Sequence, residues 1–370
     1  MLPRAAGRAD ASASEASAPT PDSTIRARLR HLVSVHRHLW VVALSLGLAA
    51  CGSARELPPP AEPATSPRPA AAPAGRVLAL EGAPEGLAVD PRTGIVAVGL
   101  RDPDRVALVD GRRGRVLRRV PIPASPRHLG LAAPGGPVLV PAERANVLAR
   151  VGLPDGDVRV TRVGRFPHHA TAAGGRTFVA NELGDSVSVV EKGRAVAELD
   201  TPVQPGGIAA LGEHFVGLVA VRSNQLEVYD ARALTSLGRA GAGAGPTHVV
   251  AGPPGRFYVA DTRGNAVVVF RLGPRLETAG RINLRGAPYG MAIDRRRQRL
   301  WVTLTARNRL AEFDLRGLGA RFRGSFPTVR QPNTVAVDEV SGRVFVAGAA
   351  GGELQLVDPE ETRRASRPGR

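Results

Sequence analysis

The hydrophobic positions of this chain fall in short runs rather than long amphipathic stretches. From Pro84 onward, a phrase of proline, one variable residue and a small residue, threonine or histidine opens into an apolar run, and this happens seven times. The copies are Pro84-Glu-Gly86, Pro126-Arg-His128, Pro167-His-His169, Pro205-Gly-Gly207, Pro246-Thr-His248, Pro288-Tyr-Gly290 and Pro332-Asn-Thr334, at intervals of 42, 41, 38, 41, 42 and 44 residues. The fifth unit shows the interior pattern. Val249-Val250 begins a buried strand, Phe257–Ala260 is a second, Ala266–Phe270 a third, and Arg281–Leu284 an alternating fourth. Short β-branched and aromatic runs bounded by Gly, Pro and Asp predict strands joined by tight turns. Three Asp pairs (Asp90 and Asp110, Asp294 and Asp314, Asp338 and Asp358) keep one separation of 20 residues. They suit Asx turns and are read as structural.

A strand-rich unit repeating about every 40 residues is the signature of propeller blades. The predicted fold is therefore all-β, a seven-bladed β-propeller with four antiparallel strands per blade. No strand follows Asp358, so the seventh unit lacks its fourth strand. An orphan strand, Val77-Leu-Ala-Leu80, precedes the first phrase. It is expected to complete the last blade and close the ring, which removes an exposed sheet edge. The propeller is assigned to residues 76–359, and residues 360–370 to a disordered basic tail.

Composition narrows the function classes. The 370 residues hold 43 Gly and 32 Pro, which disfavours long helices. A single Cys excludes a disulfide framework, a Cys-based zinc site and an iron–sulfur cluster. The formal charge of +17 comes almost wholly from Arg, scattered along the chain, with only 4% aromatics. A nucleic-acid reader needs a clustered basic footprint with stacking aromatics, so no nucleic-acid partner is expected. The chain is expected to be a monomer.

Ahead of the repeats, basic residues around Arg26–His38 lead into the uncharged run Trp40–Ala50, too short to span ~30 Å of hydrocarbon as a helix. It has the length of a signal-peptide core, and it ends Leu48-Ala-Ala-Cys51-Gly52. This resembles a bacterial lipoprotein signal. The resemblance implies cleavage before Cys51, a lipid on its sulfur, and an extracytoplasmic protein anchored to the cell membrane or outer membrane. Residues 1–50 are then leader, longer than such leaders usually are, which points to a start near Val33 or Val35. Residues 51–75, rich in Pro and Ala, read as a tether holding the globular part off the membrane.

Phe178-Val-Ala-Asn181, Tyr258-Val-Ala-Asp261, Trp301-Val-Thr-Leu304 and Phe345-Val-Ala-Gly348 occupy one place in their units. They resemble the Tyr-Val-Thr-Asn strand that names the YVTN-type seven-bladed propellers. That resemblance covers the globular region and speaks to fold more than function.

Each phrase leads toward the ring's centre, and the loop between second and third strands returns to the same end. This gathers His128, His169 and His248 with Arg101, Arg222, Arg263, Arg307 and Asn181 as candidate ligand-binding residues. The favoured function is a binding or scaffolding module that takes an anionic ligand or an acidic protein surface. Three imidazoles at one equivalent position also suit zinc, copper or nickel, so a divalent metal is the one cofactor the pattern admits. Against this, each His could simply hydrogen-bond a neighbouring blade. His168 and Glu182, 14 residues apart before and after an apolar strand, resemble the streptogramin lyases. That resemblance implies His168 as a catalytic base and Glu182 as a magnesium ligand, in a lyase- or lactonase-like enzyme; the family's Trp-Phe-Thr-Glu strand is missing from the other blades. No hydrolase elbow, phosphate-binding loop or His-Glu-x-x-His motif is present.

Overall fold

A computed structural model describes residues 57–252, 255–317 and 319–365. The leader, Cys51 and residues 366–370 lie outside the described residues. Among those described, seven four-stranded antiparallel sheets follow one another around a ring. No described helix is long and apolar enough to cross a membrane.

Each blade runs outward from its innermost strand. The first blade uses Ala83–Val89, Ile95–Arg101, Arg105–Asp110 and Arg115–Pro121. Second and third strands are buried on both faces, as in Ile95–Leu100 and Val106–Val109, because neighbouring blades cover them. Such strands read as continuous Val, Ala and Leu. The fourth strand rims the ring and alternates, so it can carry Arg115, Arg118 and Arg119 outward. The hydrophobic core lies between blades. Val219, Leu226 and Val228 of the fourth blade, for example, pack with Val249, Phe257 and Phe270 of the fifth.

The ring closes as expected. Strand Arg76–Ala79 pairs antiparallel with Glu353–Val357, Arg76 opposite Leu356 and Ala79 opposite Glu353. The buried side chain of Gln355 ties the seam together. Its Nε2 donates to the carbonyls of Ala74 (2.7 Å) and Pro327 (2.9 Å), and its Oε1 accepts from Val329 N–H (3.1 Å). The Asp turns also hold. Asp90 accepts from the N–H groups of Arg92 and Thr93, and Asp338 from those of Val340 and Ser341.

Two segments differ from expectation. Pro359–Ala365 is a short helix rather than a disordered tail, with Arg363 paired to the buried Glu312 and to Glu360. The second half of the expected tether lies on the ring. Arg222 donates to the carbonyls of Leu57 and Pro58, Arg263 to those of Pro59 and Pro60, and Asn308 to that of Pro67. Ala61 and Ser66 are buried there. The physical reason is that a proline-rich extended segment leaves its carbonyls unpaired, and guanidinium and amide groups on the ring satisfy them.

Candidate functional site

The opening phrases deliver two residues, not one, to the ring's axis. In six of the blades the register between first and second strands shifts just after the proline, as between Pro84 and Gly86 or Pro167 and His169. Such a bulge re-aims a side chain. The second residues Glu85, Arg127, His168 and Tyr289 form a polar hub, and the third residues His128, His169 and His248 lie against it.

The hub is a charge-balanced network. Arg127 donates to Glu85 at 3.1 Å and its Nε lies 3.4 Å from Glu143 Oε1. Arg101 donates to Glu143 Oε2 at 2.7 Å and to the carbonyl of Pro126. His168 Nδ1 stands 2.9 Å from Glu182 Oε2 and 3.4 Å from Glu143 Oε1. Gln204 donates to the other Glu182 oxygen at 2.8 Å. Burial alone would lower the His168 pKa, but the Glu182 carboxylate, helped by Glu143, outweighs it and raises it. Burial alone would raise Glu182, yet the His168 charge and hydrogen bond hold it at about 2. Three carboxylates thus face Arg101, Arg127 and His168, whose charged form they favour.

Beyond this layer, His128, His169 and His248 converge although they come from the second, third and fifth blades. His128 and His248 touch through their Nε2 atoms at 3.0 Å, and their ring centroids lie 4.5 Å apart. The His169 ring lies 5.7 Å from that of His128, and its Nδ1 accepts from Ile208 N–H at 3.3 Å. All three are neutral. Burial lowers each pKa first, and positive neighbours add to it: His168 brings His169 to about 3, and Arg127 and His168 act on His128 and His248.

These imidazoles line the inner end of a channel of about 460 Å³ along the axis. Its walls include Leu131, Ile208, Val250, Met291 and Val335, with Thr171 and Thr334 among them. Gly212, Glu213 and Arg295 also line it and belong to turns between first and second strands. The mouth is therefore at the end of the ring opposite the proline phrases.

The remaining expected ligand residues are not brought to this channel. Arg222 and Arg263 hold the docked segment. Arg101 is held by Glu143. Arg307 is exposed on the proline-phrase face. Asn181 is fully buried and donates to Ser186 Oγ and Ser188 Oγ, away from the channel lining. Nor do the three channel histidines bring together a metal's donor atoms. Among the described residues, only Glu143, His168 and Glu182 form a group of three whose ligand atoms all lie within 4.8 Å of one another. Their donor types suit a divalent cation, but Arg101 and Arg127 already pair with Glu143, and the one imidazole nitrogen that reaches the carboxylates is held by Glu182. The sequence reading missed Glu143 and Arg127 as neighbours of His168, and Glu85 and Tyr289 as members of the hub. A bulge is not visible as a residue pattern, although the charged second residues of the phrases were a usable signal.

No protein-family model matches the chain, and no curated protein sequence matches it. Solved structures do. Hydrazine synthase of Kuenenia stuttgartiensis is similar over 74% of this chain and 95% of its own, at 14% identity and a TM-score of 0.67. A streptogramin B lyase is similar over 76% and 97%, at 14% identity and 0.65. Virginiamycin B lyase of Staphylococcus aureus is similar over 76% and 98%, at 14% identity and 0.63. At these identities the likeness is one of fold: this chain is a seven-bladed β-propeller distantly similar in structure to those proteins.

Proposed function

We propose that this protein is a lipid-anchored, extracytoplasmic propeller of the YVTN type that works as a binding module, with the central channel as its ligand seat. One observation carries the reading: apolar walls end on three uncharged imidazoles, while the charged groups of the hub behind them already pair within the chain. Such a seat suits a small, mostly apolar molecule whose hydrogen-bonding end is neutral or anionic. The positive charge of Arg127 behind the imidazoles disfavours a cation. The test uses anilinonaphthalene sulfonate, an apolar anion that fluoresces when desolvated. Saturable binding is expected, and Ala210→Trp, which fills the channel below the hub, should abolish it. Binding that survives Ala210→Trp would place the seat elsewhere.

A second reading, a lyase with His168 as base, is favoured by the addition of Glu143 to the His168–Glu182 pair. It needs a neutral His168. Glu182 and Glu143 favour the imidazolium form, which has no lone pair with which to take a substrate proton. The binding reading is therefore the better supported.

A further inference from the structure

Residues 57–67 cross one face of the ring as a strap. Its bonds run from Arg222 in the fourth blade, through Arg263 in the fifth, to Thr305 and Asn308 in the sixth and Gln331 before the seventh. Ser66 is bonded on both sides, its N–H donating to Gln331 Oε1 at 2.9 Å and its Oγ to the Thr305 carbonyl at 2.5 Å. The strap begins at Leu57, only six residues after Cys51. Fully extended, six residues reach roughly 20 Å. The blades themselves are deep, since a strand of six residues is already roughly 20 Å long.

We propose that the strap-bearing face is a membrane-docking surface for anionic phospholipid headgroups, and that the channel mouth consequently faces away from the bilayer. This rests on the lipid-anchor reading above. A lipid on Cys51 with Leu57 pinned beside Arg222 leaves too little chain for the opposite face to reach the bilayer. The docking face carries Arg144, Arg285, Arg307 and Arg330, none with a hydrogen-bond or ion-pair partner among the described residues. Its exposed acids are Glu62, Glu81, Asp102, Asp185 and Asp200. Basic side chains near an anionic bilayer attract it within a Debye length. The far face also bears unpaired basic groups, Arg296 and Lys192 among them. Charge alone therefore does not choose the face; the strap does.

The test is a quenching measurement on the membrane-bound protein. With its Cys51 sulfur lipidated, the full chain offers a single free thiol when Arg307→Cys or Arg296→Cys is introduced. A fluorophore on each is exposed to phospholipid bearing a headgroup nitroxide. Quenching at 307 should exceed that at 296 several-fold, and Arg222→Ala with Arg263→Ala, which frees the strap's first four residues and so lengthens the leash from Cys51, should narrow the gap. Each variant is first shown to melt like the parent. Equal quenching, or stronger quenching at 296, overturns the docking surface. A gap unchanged in the Arg222→Ala/Arg263→Ala protein overturns the strap as its cause. A mature mass without lipid at Cys51 overturns the anchor itself, a failure read separately from quenching.

Discussion

The Nε2 atoms of His128 and His248 lie 3.0 Å apart, although the residues are 120 positions apart in the chain. One nitrogen must carry the proton and the other the lone pair, so at least one of the two rings is neutral and the contact is lost when both are protonated. Folding therefore holds buried imidazoles unprotonated beside positive neighbours.

Stability should fall on acidification. In the unfolded chain His128, His169 and His248 titrate near the ordinary value of about 6.5. Folded, each is depressed, His169 to about 3. Below about pH 6.5 the unfolded state binds more protons, so stability drops as pH falls. His168 has the opposite sign: its raised pKa gives a contribution that is full at low pH and lost as pH rises through the folded value. Three outweigh one. Glu182, held at about 2, adds a further loss as pH falls below the ordinary carboxylate range. Urea unfolding at pH 7.5, 6 and 5 should show a falling midpoint, and His169→Phe should flatten the decline; a level midpoint would contradict the neutral cluster.

Glu182→Gln should destabilise by about 1–3 kcal/mol, because a buried imidazolium loses its charged acceptor. The more specific readout is the His168 ring itself. Its NMR-detected pKa should lie above the ordinary range in the parent and drop in Glu182→Gln. A ring that titrates normally in both would remove the charged hub from the account.

Chelation should leave the protein unchanged. Arg101, Arg127 and His168 already neutralise Glu85, Glu143 and Glu182, so a divalent cation would add uncompensated charge. Melting curves with EDTA or with magnesium should superimpose. A clear rise with magnesium, abolished by Glu143→Gln, would restore the metal-dependent lyase reading.

Gln355→Ala should cost about 2 kcal/mol, since it strands the carbonyls of Ala74 and Pro327 and the N–H of Val329 in a dry seam. Denaturant unfolding measures the loss. Hydrogen exchange should locate it in Arg76–Ala79 and Glu353–Val357; a loss spread evenly over all blades would argue against a seam role.

Much of the architecture was legible before any coordinates. The seven proline phrases, the strand runs of the fifth unit and the orphan strand before Pro84 imply the ring and its closure, because period and alternation are local properties of a chain. The candidate site was legible only in pieces. His168 and Glu182 were paired through the resemblance to the streptogramin lyases, and the two do flank one hairpin. Glu143, Arg127 and Glu85 come from other blades, and no local spacing links them. Arg222 and Arg263 looked free because their partners are carbonyls of a segment some 160 to 200 residues away, and carbonyls leave no mark in a sequence.

The sequence by itself determined the number of blades, the strand order within them and the residue types that reach the axis. Only the tertiary structure decided which of those residues meet. Blade repeats are nearest-neighbour chemistry, written in pattern, whereas the contacts of His128 with His248, of His168 with Glu143, and of the strap with Arg263 depend on bulges and on closure of the ring, which bring distant blades within hydrogen-bonding range.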